Sequence, residues 1–579
     1  MHTYALDFET YYDKECSITT LGLDQYVRHP DFDAYLVTVV GDDGTHYAGR
    51  PEEFNWSLLE GNAVVSHNAG FDAGVYQWLA DTGKVPLVKY EVWDCTADMS
   101  AYFGVPRNLA GAAKALLDLD VSKEARDKMK GRKWSELNEV DRTELVDYAV
   151  KDALLCIQIW TLHSHNWPEH ERRISRLTRE SGWRGVVVDA DGLRADMEVL
   201  ENEKTACLAR LPWAATHAPL SLARLNVHLG LAGFPAFNSI DKKNPDVLKF
   251  VEDHPEITWI KDMWSLRSAS VLQKKLSTML SRIRDDGRMG VGLKYFGAHT
   301  GRDSGESGVN IQNMPRGEVL GVNLRRRITA APGKVFVACD LGAIEPRALT
   351  YLSKDMDTLE AAKKVADWYE AQGRAWGLYK GELSLKEGDP VMRHMIKGMS
   401  IGLGYMMSAS KYALVTGKSL PEAQKIVDLF RAKNPKIVKF WSLLDRGMKA
   451  SAGSDFKVVM PSGRALLYRD VRNGSEGTSA LLMRNGVLMR LRVWPGATVE
   501  NLTQAFSRDI FMDRVLAIHD AGYDVALRVH DEVVVEVDAD KAEEAKEHIC
   551  QIMKTSPAWC QDLPLAAEAK FGKTYADAK

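Results

Sequence analysis

The stretch Cys339-Asp-Leu-Gly-Ala-Ile-Glu345-Pro-Arg347 does most to decide the fold of this chain. The apolar run Lys334–Cys339 before it predicts a strand that leads into Asp340. A helix is expected from about Ile344, because a proline at position 346 falls in the first turn and is tolerated there. Asp340 therefore ends a strand, where a carboxylate can bind a metal ion while the backbone stays fixed.

A second acidic group interrupts an apolar stretch further along the chain. Val525–Val529 and Val533–Val537 are β-rich runs joined by the polar stretch His530-Asp531-Glu532, which predicts a hairpin that projects acids from a rigid base. We expect Asp340 and Asp531 to bind two Mg²⁺ ions, for which Mn²⁺ can substitute. Such ions lower the pKa of an attacking hydroxyl and neutralise charge on leaving phosphates.

A basic helix face lies between these acids in the sequence. Arg393, Lys397 and Ile401 fall at i, i+4 and i+8, and Gly404 and Tyr405 follow on the same third of the circumference. An ordinary surface helix with paired bases is one interpretation. The other interpretation is a site that binds a triphosphate and continues into a surface on which the base stacks. Lys397 could then donate a proton to departing pyrophosphate.

The first third of the chain carries its own acidic set. Asp7 and Glu9 are two apart on a predicted strand and project from one face. Asp72 is expected at the start of a helix, and Tyr148 and Asp152 form an i, i+4 pair on another. Any one of these acids alone is more often a cap or a surface residue. Together, four acids and a phenol suit two metal ions and an oriented water that attacks a phosphodiester.

Composition and organisation set the frame for these sites. A chain of 579 residues with 45% hydrophobic content predicts two to four domains. Seven cysteines without a paired motif indicate reduced thiols, and a net charge of −4 means that nucleic acid would be bound by local basic surfaces. No signal peptide and no membrane-spanning run is found, so we expect a cytoplasmic protein without membrane contact.

The motifs of the second half resemble those of a known family. Asp340 to Arg347, Arg393 to Tyr405 and His530 to Glu532 are similar, in order and spacing, to the three polymerase motifs of family A DNA polymerases, the bacterial DNA polymerase I type. Two further groups of residues extend the match from about residue 235 onward. They are Thr300-Gly301-Arg302 with the 310–315 segment, and Glu500-x-x-x-Gln504, the latter in a form similar to phage members.

This resemblance implies a multidomain α/β and α+β protein with a right-hand polymerase domain over residues 166–579. The thumb is expected at about 195–298, the fingers at about 354–452, and the palm at about 299–353 and 453–579. Basic residues of the 257–284 stretch, Lys274 and Lys275 among them, would grip duplex backbone. By itself, such a charge run is more often a solvated helix face.

The resemblance also implies a role for each motif residue. Asp340 and Asp531 bind metals, and Glu532 lies in the palm near the primer end. Nucleotide contacts are implied for Arg393, Lys397, Ile401, Tyr405 and Glu345, with Glu345 crowding the sugar 2′ position to exclude ribonucleotides. Minor-groove and primer contacts are implied for Arg302, Gln504 and His530.

The N-terminal motifs have a counterpart of their own. Asp7-x-Glu9, Asn68-x-x-x-Asp72 and Tyr148-x-x-x-Asp152 resemble the three motifs of the DnaQ-like 3′-to-5′ exonucleases, which have an RNase H-like fold. The resemblance implies an intact proofreading domain at residues 1–165. We also expect no 5′ nuclease domain, because the chain begins directly at these motifs.

Several positions depart from the family pattern. Ile401 stands where an aromatic residue is usual, Gly342-Ala343 replaces Ser-Gln, and Met406 replaces Gly. The segment from 302 to 310 is one residue longer, and no His lies between 367 and 380 to supply an extra phosphate contact. These changes indicate a diverged viral enzyme.

The expected function is therefore template-directed, primer-dependent DNA synthesis with proofreading, in the replication of phage or prophage DNA. Primer-template DNA and dNTPs are the expected partners, and a helicase or single-strand binding protein is not identifiable. A single-subunit RNA polymerase is an alternative, against which Glu345 and the exonuclease motifs count. Another is a nucleic-acid binding protein whose polymerase half no longer turns over.

Overall fold

The computed structural model describes residues 1–121, 128–306, 309–365, 367–484 and 486–579. Its N-terminal domain is built on a five-stranded sheet in which the first strand pairs antiparallel with the second and parallel with the fourth. In spatial order the strands are His46–Gly49, Ala34–Gly41, Thr3–Thr10, Ala63–Ser66 and Val92–Cys95. The sequence predicts three of these strands, at 4–8, 34–40 and 63–66, and all three are confirmed within two residues at either end.

Helices cover this sheet and complete the N-terminal domain. The longest is Glu139–His163, and the others of nine or more residues are Ala69–Asp81 and Leu109–Leu117. The hydroxyl of Thr38, in the second strand, donates to the carbonyl of Ala149 at 3.2 Å and so fixes the longest helix against the sheet. That helix carries the predicted Tyr148 and Asp152, which it thereby brings toward the first strand.

A four-stranded antiparallel sheet forms the base of the predicted palm. Its order is Asp524–Val529, Glu532–Asp538, Lys334–Leu341 and Ala567–Gly572. Behind it lie the helices Ile344–Leu352, Ala542–Lys554 and the largely buried Pro495–Asp520. The third strand, which we call the acidic strand, is apolar and buried over Phe336–Cys339, directly before Asp340, as an inner strand covered on both faces should be.

The predicted thumb is a long pair of helices, Ala190–Arg210 and Trp259–Leu280, that pack along each other. Between them the chain forms a small helical tip with its own hydrophobic cluster, which includes Leu225, Val247 and Phe250. Lys274 is exposed on the second helix and Lys275 is half-buried, whereas Arg282 and Arg284 lie beyond its end. The predicted helix 257–284 is thus shorter than expected.

The predicted fingers are helical throughout. The elements are Met356–Ala362, Trp368–Ala375, Leu385–Gly388, Pro390–Gly402, Ala409–Thr416, Leu420–Lys433 and Pro435–Ala450. A 3₁₀ turn over Leu403–Tyr405 follows the fourth of these. The basic helix face therefore ends at Gly402, and the prediction that Gly404 and Tyr405 continue the same helix is wrong.

A second four-stranded sheet in the C-terminal part is larger than the sequence predicted. Its strands are Phe456–Val459, Ala465–Gly474, Gly477–Arg484 and Val487–Arg492, in that order. The sequence predicts only the first two strands, at 457–460 and 465–468, and the second of them runs six residues further than expected. The last two strands pair in register, Arg484 with Val487, and we call them the arginine hairpin.

Partly buried polar contacts join the N-terminal domain to the rest of the chain. The Arg107 guanidinium donates to the Tyr295 carbonyl at 2.8 Å, and the Gly290 amide donates to Asp24 at 3.1 Å. All seven cysteines are free thiols, and six of them are buried. Among the described residues, no helix combines the length and the apolar character needed to cross a membrane.

Candidate active sites

The two predicted metal ligands of the palm lie on adjoining chain segments. The amide of Leu341, next to Asp340, donates to the carbonyl of Asp531 at 3.2 Å. Burial, and then the charge of Asp531, raise the pKa of Asp340 to about 7. Burial also raises the pKa of Asp531, while the charge of Arg302 opposes that shift. Two partly desolvated carboxylates that repel each other are a site that a divalent cation would stabilise.

Glu532 occupies a different environment from the one expected. It is the first residue of its strand, opposite Asp340, and it is only 1% exposed. Its carboxylate accepts hydrogen bonds from the Tyr575 hydroxyl at 2.6 Å and from the Lys579 ammonium. The predicted three-residue loop is thus wrong: only His530 and Asp531 form the turn, and Glu532 is a buried, ion-paired acid behind it.

Glu345, the acid predicted to discriminate between sugars, accepts a hydrogen bond at each of its two carboxylate oxygens. Arg302 donates to Oε1 of Glu345 at 2.6 Å, and the Tyr405 hydroxyl donates to Oε2 at 2.9 Å. Glu345 and Arg302 both act electrostatically on Asp531, so this hydrogen-bonded group lies near the palm acids. The loop after Arg302 was expected to be one residue longer than usual, and part of it, 307–308, lies outside the described residues.

Arg393 is the first predicted cation of the helix Pro390–Gly402. It lies against two residues that the sequence analysis did not single out. Arg393 forms an ion pair with Asp367, and its guanidinium lies 5.3 Å from the centre of the Tyr369 ring. Tyr369 is buried and within electrostatic range of both Asp531 and Glu345, which puts Arg393 near the palm acids. Lys397 is exposed and Ile401 half-buried on the same helix.

The other residues that were predicted to contact DNA make fewer contacts with the group around the palm acids. Gln504, on the long buried helix, donates to Glu500 at 3.2 Å, and the charge of Glu345 acts on Glu500. His530 is exposed in its turn with a φ of 60°, and Met406 has a φ of 62°, a conformation that favours glycine. Lys274 is on the thumb helix, and within the described residues it makes no hydrogen bond or ion pair with the palm acids.

The predicted acids of the N-terminal domain meet around one cleft of about 940 Å³. Asp7, Glu9, Tyr148 and Asp152 line it. The Tyr148 hydroxyl is hydrogen-bonded to Asp152, and burial and then the charge of that carboxylate raise the pKa of Tyr148.

Asp72 lies behind the wall of this cleft. It is almost fully buried, its Oδ1 accepts the Phe8 amide at 3.0 Å, and its Oδ2 has no hydrogen-bond partner among the described residues. Burial raises its pKa well above the usual range, and the charge of Glu9 adds to the shift. A buried carboxylate oxygen without a hydrogen-bond partner, on which the charge of Glu9 acts, fits a cation better than it fits a purely structural role.

Neither site is a complete metal cage by itself. In the ranges that the structure describes, no three His, Cys, Asp or Glu side chains are arranged to hold a metal ion alone. Oxygen donors in small numbers are nevertheless the usual protein contribution to Mg²⁺ binding, where water and substrate phosphates complete the shell. The carboxylates at both sites fit that pattern.

The sequence analysis did not identify the residues whose contacts fix the predicted site residues in position. Asp367 could have been noticed as a helix cap, because its Oδ1 accepts the Tyr369 amide at 2.9 Å. The arginine hairpin also had a signal, since an Asn485-Gly486 pair between alternating runs is typical of a tight hairpin. No local pattern marks Tyr575 or Lys579, which reach Glu532 from more than forty positions away.

Comparison with known proteins agrees with this geometry. A DNA polymerase from Bacillus phage SP02 is 26% identical to the chain, over 98% of both sequences. The thermostable DNA polymerase I of Thermus filiformis is 27% identical over 71% of this chain and 48% of its own length. The DNA polymerase of Mycobacterium phage L5 is 26% identical over 56% and 48%.

A solved structure and a family model complete the comparison. The POL domain of Pol1 from M. smegmatis, in complex with DNA primer-template and dNTP, aligns with a TM-score of 0.68 at 18% identity, over 100% of this chain and 96% of that one. The predicted right-hand fold is thereby confirmed. The model of DNA polymerase family A matches residues 238–577, which is more than half of the sequence. The chain therefore belongs to DNA polymerase family A.

Proposed function

We propose that this family A DNA polymerase extends a primer on a DNA template and removes mispaired 3′ ends at a separate exonuclease site. The observation that carries the proposal is the presence of two separate acidic clusters in one chain. Asp340 and Asp531 adjoin in the palm, and Asp7, Glu9 and Asp152 line the N-terminal cleft. The domain bounds proposed are 1–165 for the exonuclease and 166–579 for the polymerase.

In the palm, Asp340 and Asp531 would hold two Mg²⁺ ions, which lower the pKa of the primer hydroxyl and neutralise the leaving pyrophosphate when bound. Arg393 and Lys397 bind the triphosphate of the incoming nucleotide, and Lys397 gives a proton to the pyrophosphate oxygen. Ile401 and Tyr405 form the surface under the base and sugar. Glu345 leaves no room for a 2′-hydroxyl.

In the N-terminal cleft, Asp7, Glu9, Asp72 and Asp152 would hold a second pair of Mg²⁺ ions. Tyr148 orients the water that attacks the terminal phosphodiester, because its hydroxyl is already fixed by Asp152.

The DNA contacts belong to the same proposal. Lys274 and Lys275 bind duplex backbone, and Arg302, Gln504 and His530 contact the minor-groove side of the primer end. The SP02 phage polymerase matches the chain along almost its whole length, which supports a role in replicating phage or prophage DNA in a bacterial cell. Glu532 acts through its position behind Asp340.

One experiment reports both sites: primer extension run beside degradation of a labelled single strand. Asp340→Asn should abolish incorporation and keep degradation, and Asp7→Ala should do the reverse. Extension by Asp340→Asn at the parental rate would refute the palm assignment. Equal degradation by Asp7→Ala and the parent would refute the exonuclease assignment, and faster use of NTPs than of dNTPs would favour an RNA polymerase.

A further inference from the structure

The arginine hairpin reaches from the palm to the N-terminal cleft. Gly486 and Val487, at its tip, line the same cleft as Asp7 and Glu9. The sheet that contains the hairpin also contacts the N-terminal domain at a second point, where the Arg469 guanidinium donates to the Phe103 carbonyl at 2.9 Å. A palm element therefore lines the same cavity as Asp7, Glu9 and Asp152, which belong to the N-terminal domain.

The register of the hairpin shows which side chains share the face of Val487, the tip residue that lines the cleft. Residues directly opposite in an antiparallel pair share a face of the sheet. Ala480 and Leu482 pack into the core on one face, and Leu482 pairs with Met489. Beyond the core, that face continues with Met489 and with the tip pair Arg484 and Val487.

Apolar and cationic side chains are both exposed to solvent near the hairpin tip. Val487 is 48% exposed and Met489 42% exposed, and Arg484 is also exposed on the same face. Flat apolar contacts for bases together with cations for phosphates are what single-stranded nucleic acid requires. Other cations, Arg107, Arg282 and Lys294, line the same cleft. A surface of this chemistry at the entrance of an acidic cleft fits a single DNA strand.

We propose that the arginine hairpin binds the single-stranded 3′ end of a primer that has left the palm and guides it into the N-terminal cleft. The proposal rests on the exonuclease function proposed above. The cleft that receives this end has a volume of about 940 Å³ and is lined by Asp7, Glu9 and Asp152. Val487 and Met489 contact the freed bases, and Arg484 contacts a phosphate.

The test compares two substrates for each protein: a single strand, and a primer-template with a mismatched primer end. The double variant Val487→Ser/Met489→Ser should lower the ratio of the mismatched-primer rate to the single-strand rate by about tenfold, as expected for the loss of a base contact. Extension of a matched primer reports that the variant is folded. Leu87→Ser, which removes an apolar side chain that is 72% exposed on the N-terminal domain, is the matched control and should leave the ratio unchanged.

An unchanged ratio in the double variant would overturn the proposal, and so would an equal loss on both substrates. A parent protein that degrades neither substrate, or that is indifferent to Asp7→Ala, would instead refute the exonuclease function itself. A second readout needs no catalysis. With metal chelated, a mismatched primer carrying a photoreactive 3′ base should crosslink within residues 477–492, and labelling only elsewhere would overturn the guiding role.

Discussion

The Tyr405 hydroxyl donates a hydrogen bond to Oε2 of Glu345 at 2.9 Å, across 60 positions of the sequence. Tyr405 belongs to the fingers and Glu345 to the helix that follows the acidic strand. Arg302 holds the other oxygen of the same carboxylate. The orientation of Glu345 is therefore set by the meeting of fingers and palm, and not by its own helix alone.

Tyr405→Phe should weaken discrimination against ribonucleotides. Without the hydroxyl, Glu345 loses one of its two fixed contacts and can move away from the sugar 2′ position. We expect the ratio of kcat/KM for dNTP to kcat/KM for NTP to fall by about tenfold, a cost near 1.4 kcal/mol. Single-nucleotide incorporation measures it, with Tyr412→Phe as a control in the same subdomain. An unaltered ratio would show that Arg302 alone orients the carboxylate.

Ile401→Tyr should increase the use of dideoxynucleotides relative to Ile401→Phe. Both changes add an aromatic platform, but only tyrosine adds a hydroxyl that can replace a missing polar contact of the 3′ position. The expected difference between the two variants is on the order of tenfold in relative incorporation. Chain-termination assays with mixed nucleotides measure it. Equal behaviour of both variants would remove any role of this position in sugar choice.

Asp367→Asn should raise the KM for dNTP and leave kcat within about twofold, because the ion pair with Arg393 orients the guanidinium. Asparagine keeps the cap of helix Trp368–Ala375, so the helix itself should stay folded. We expect an increase in KM of about fivefold. A lower KM would mean that Asp367 competes with the triphosphate for Arg393.

Arg508→Met should destabilise the protein strongly. Arg508 and Glu171 form a buried ion pair, with a 2.9 Å contact to Oε2, and the Tyr295 hydroxyl donates to the same carboxylate. Removal of the arginine leaves a buried charge without its partner, at a cost of about 3–5 kcal/mol. Thermal unfolding measures the loss, and the double variant Arg508→Met/Glu171→Gln should recover part of it. A double variant as unstable as the single one would contradict this origin.

Acid should destabilise the region around His299. Burial, and then the charge of Arg464, lower the pKa of His299 to about 4. The unfolded chain therefore takes up a proton at a higher pH than the folded one, so stability falls as the pH drops from about 6.5 to 4 and levels off below. The full effect is about 3 kcal/mol. Relative to His299→Gln, the melting temperature of the parent should fall over this range, and parallel pH profiles would contradict the prediction.

The sequence predicted the chemical groups well because each motif is local. Two residues on one strand, or four apart on a helix, share a face whatever surrounds them, and Asp7 with Glu9 and Tyr148 with Asp152 were found in this way. The strand before Asp340 was equally clear, since an apolar run of its length has few alternatives. Helix ends were less certain, as Gly404 and Tyr405 show.

The sequence by itself determined which acids, cations and phenols the protein carries, their order, and the periodicity that puts neighbours on one face. Only the tertiary structure decided that Glu532 is buried under Tyr575 and Lys579, that Arg393 is paired with Asp367, and that the tip of the arginine hairpin lines a cleft of the other domain. The physical reason is the distance along the sequence over which each effect acts. Backbone periodicity relates residues within a few positions, whereas burial and ion pairing depend on segments that only packing brings together.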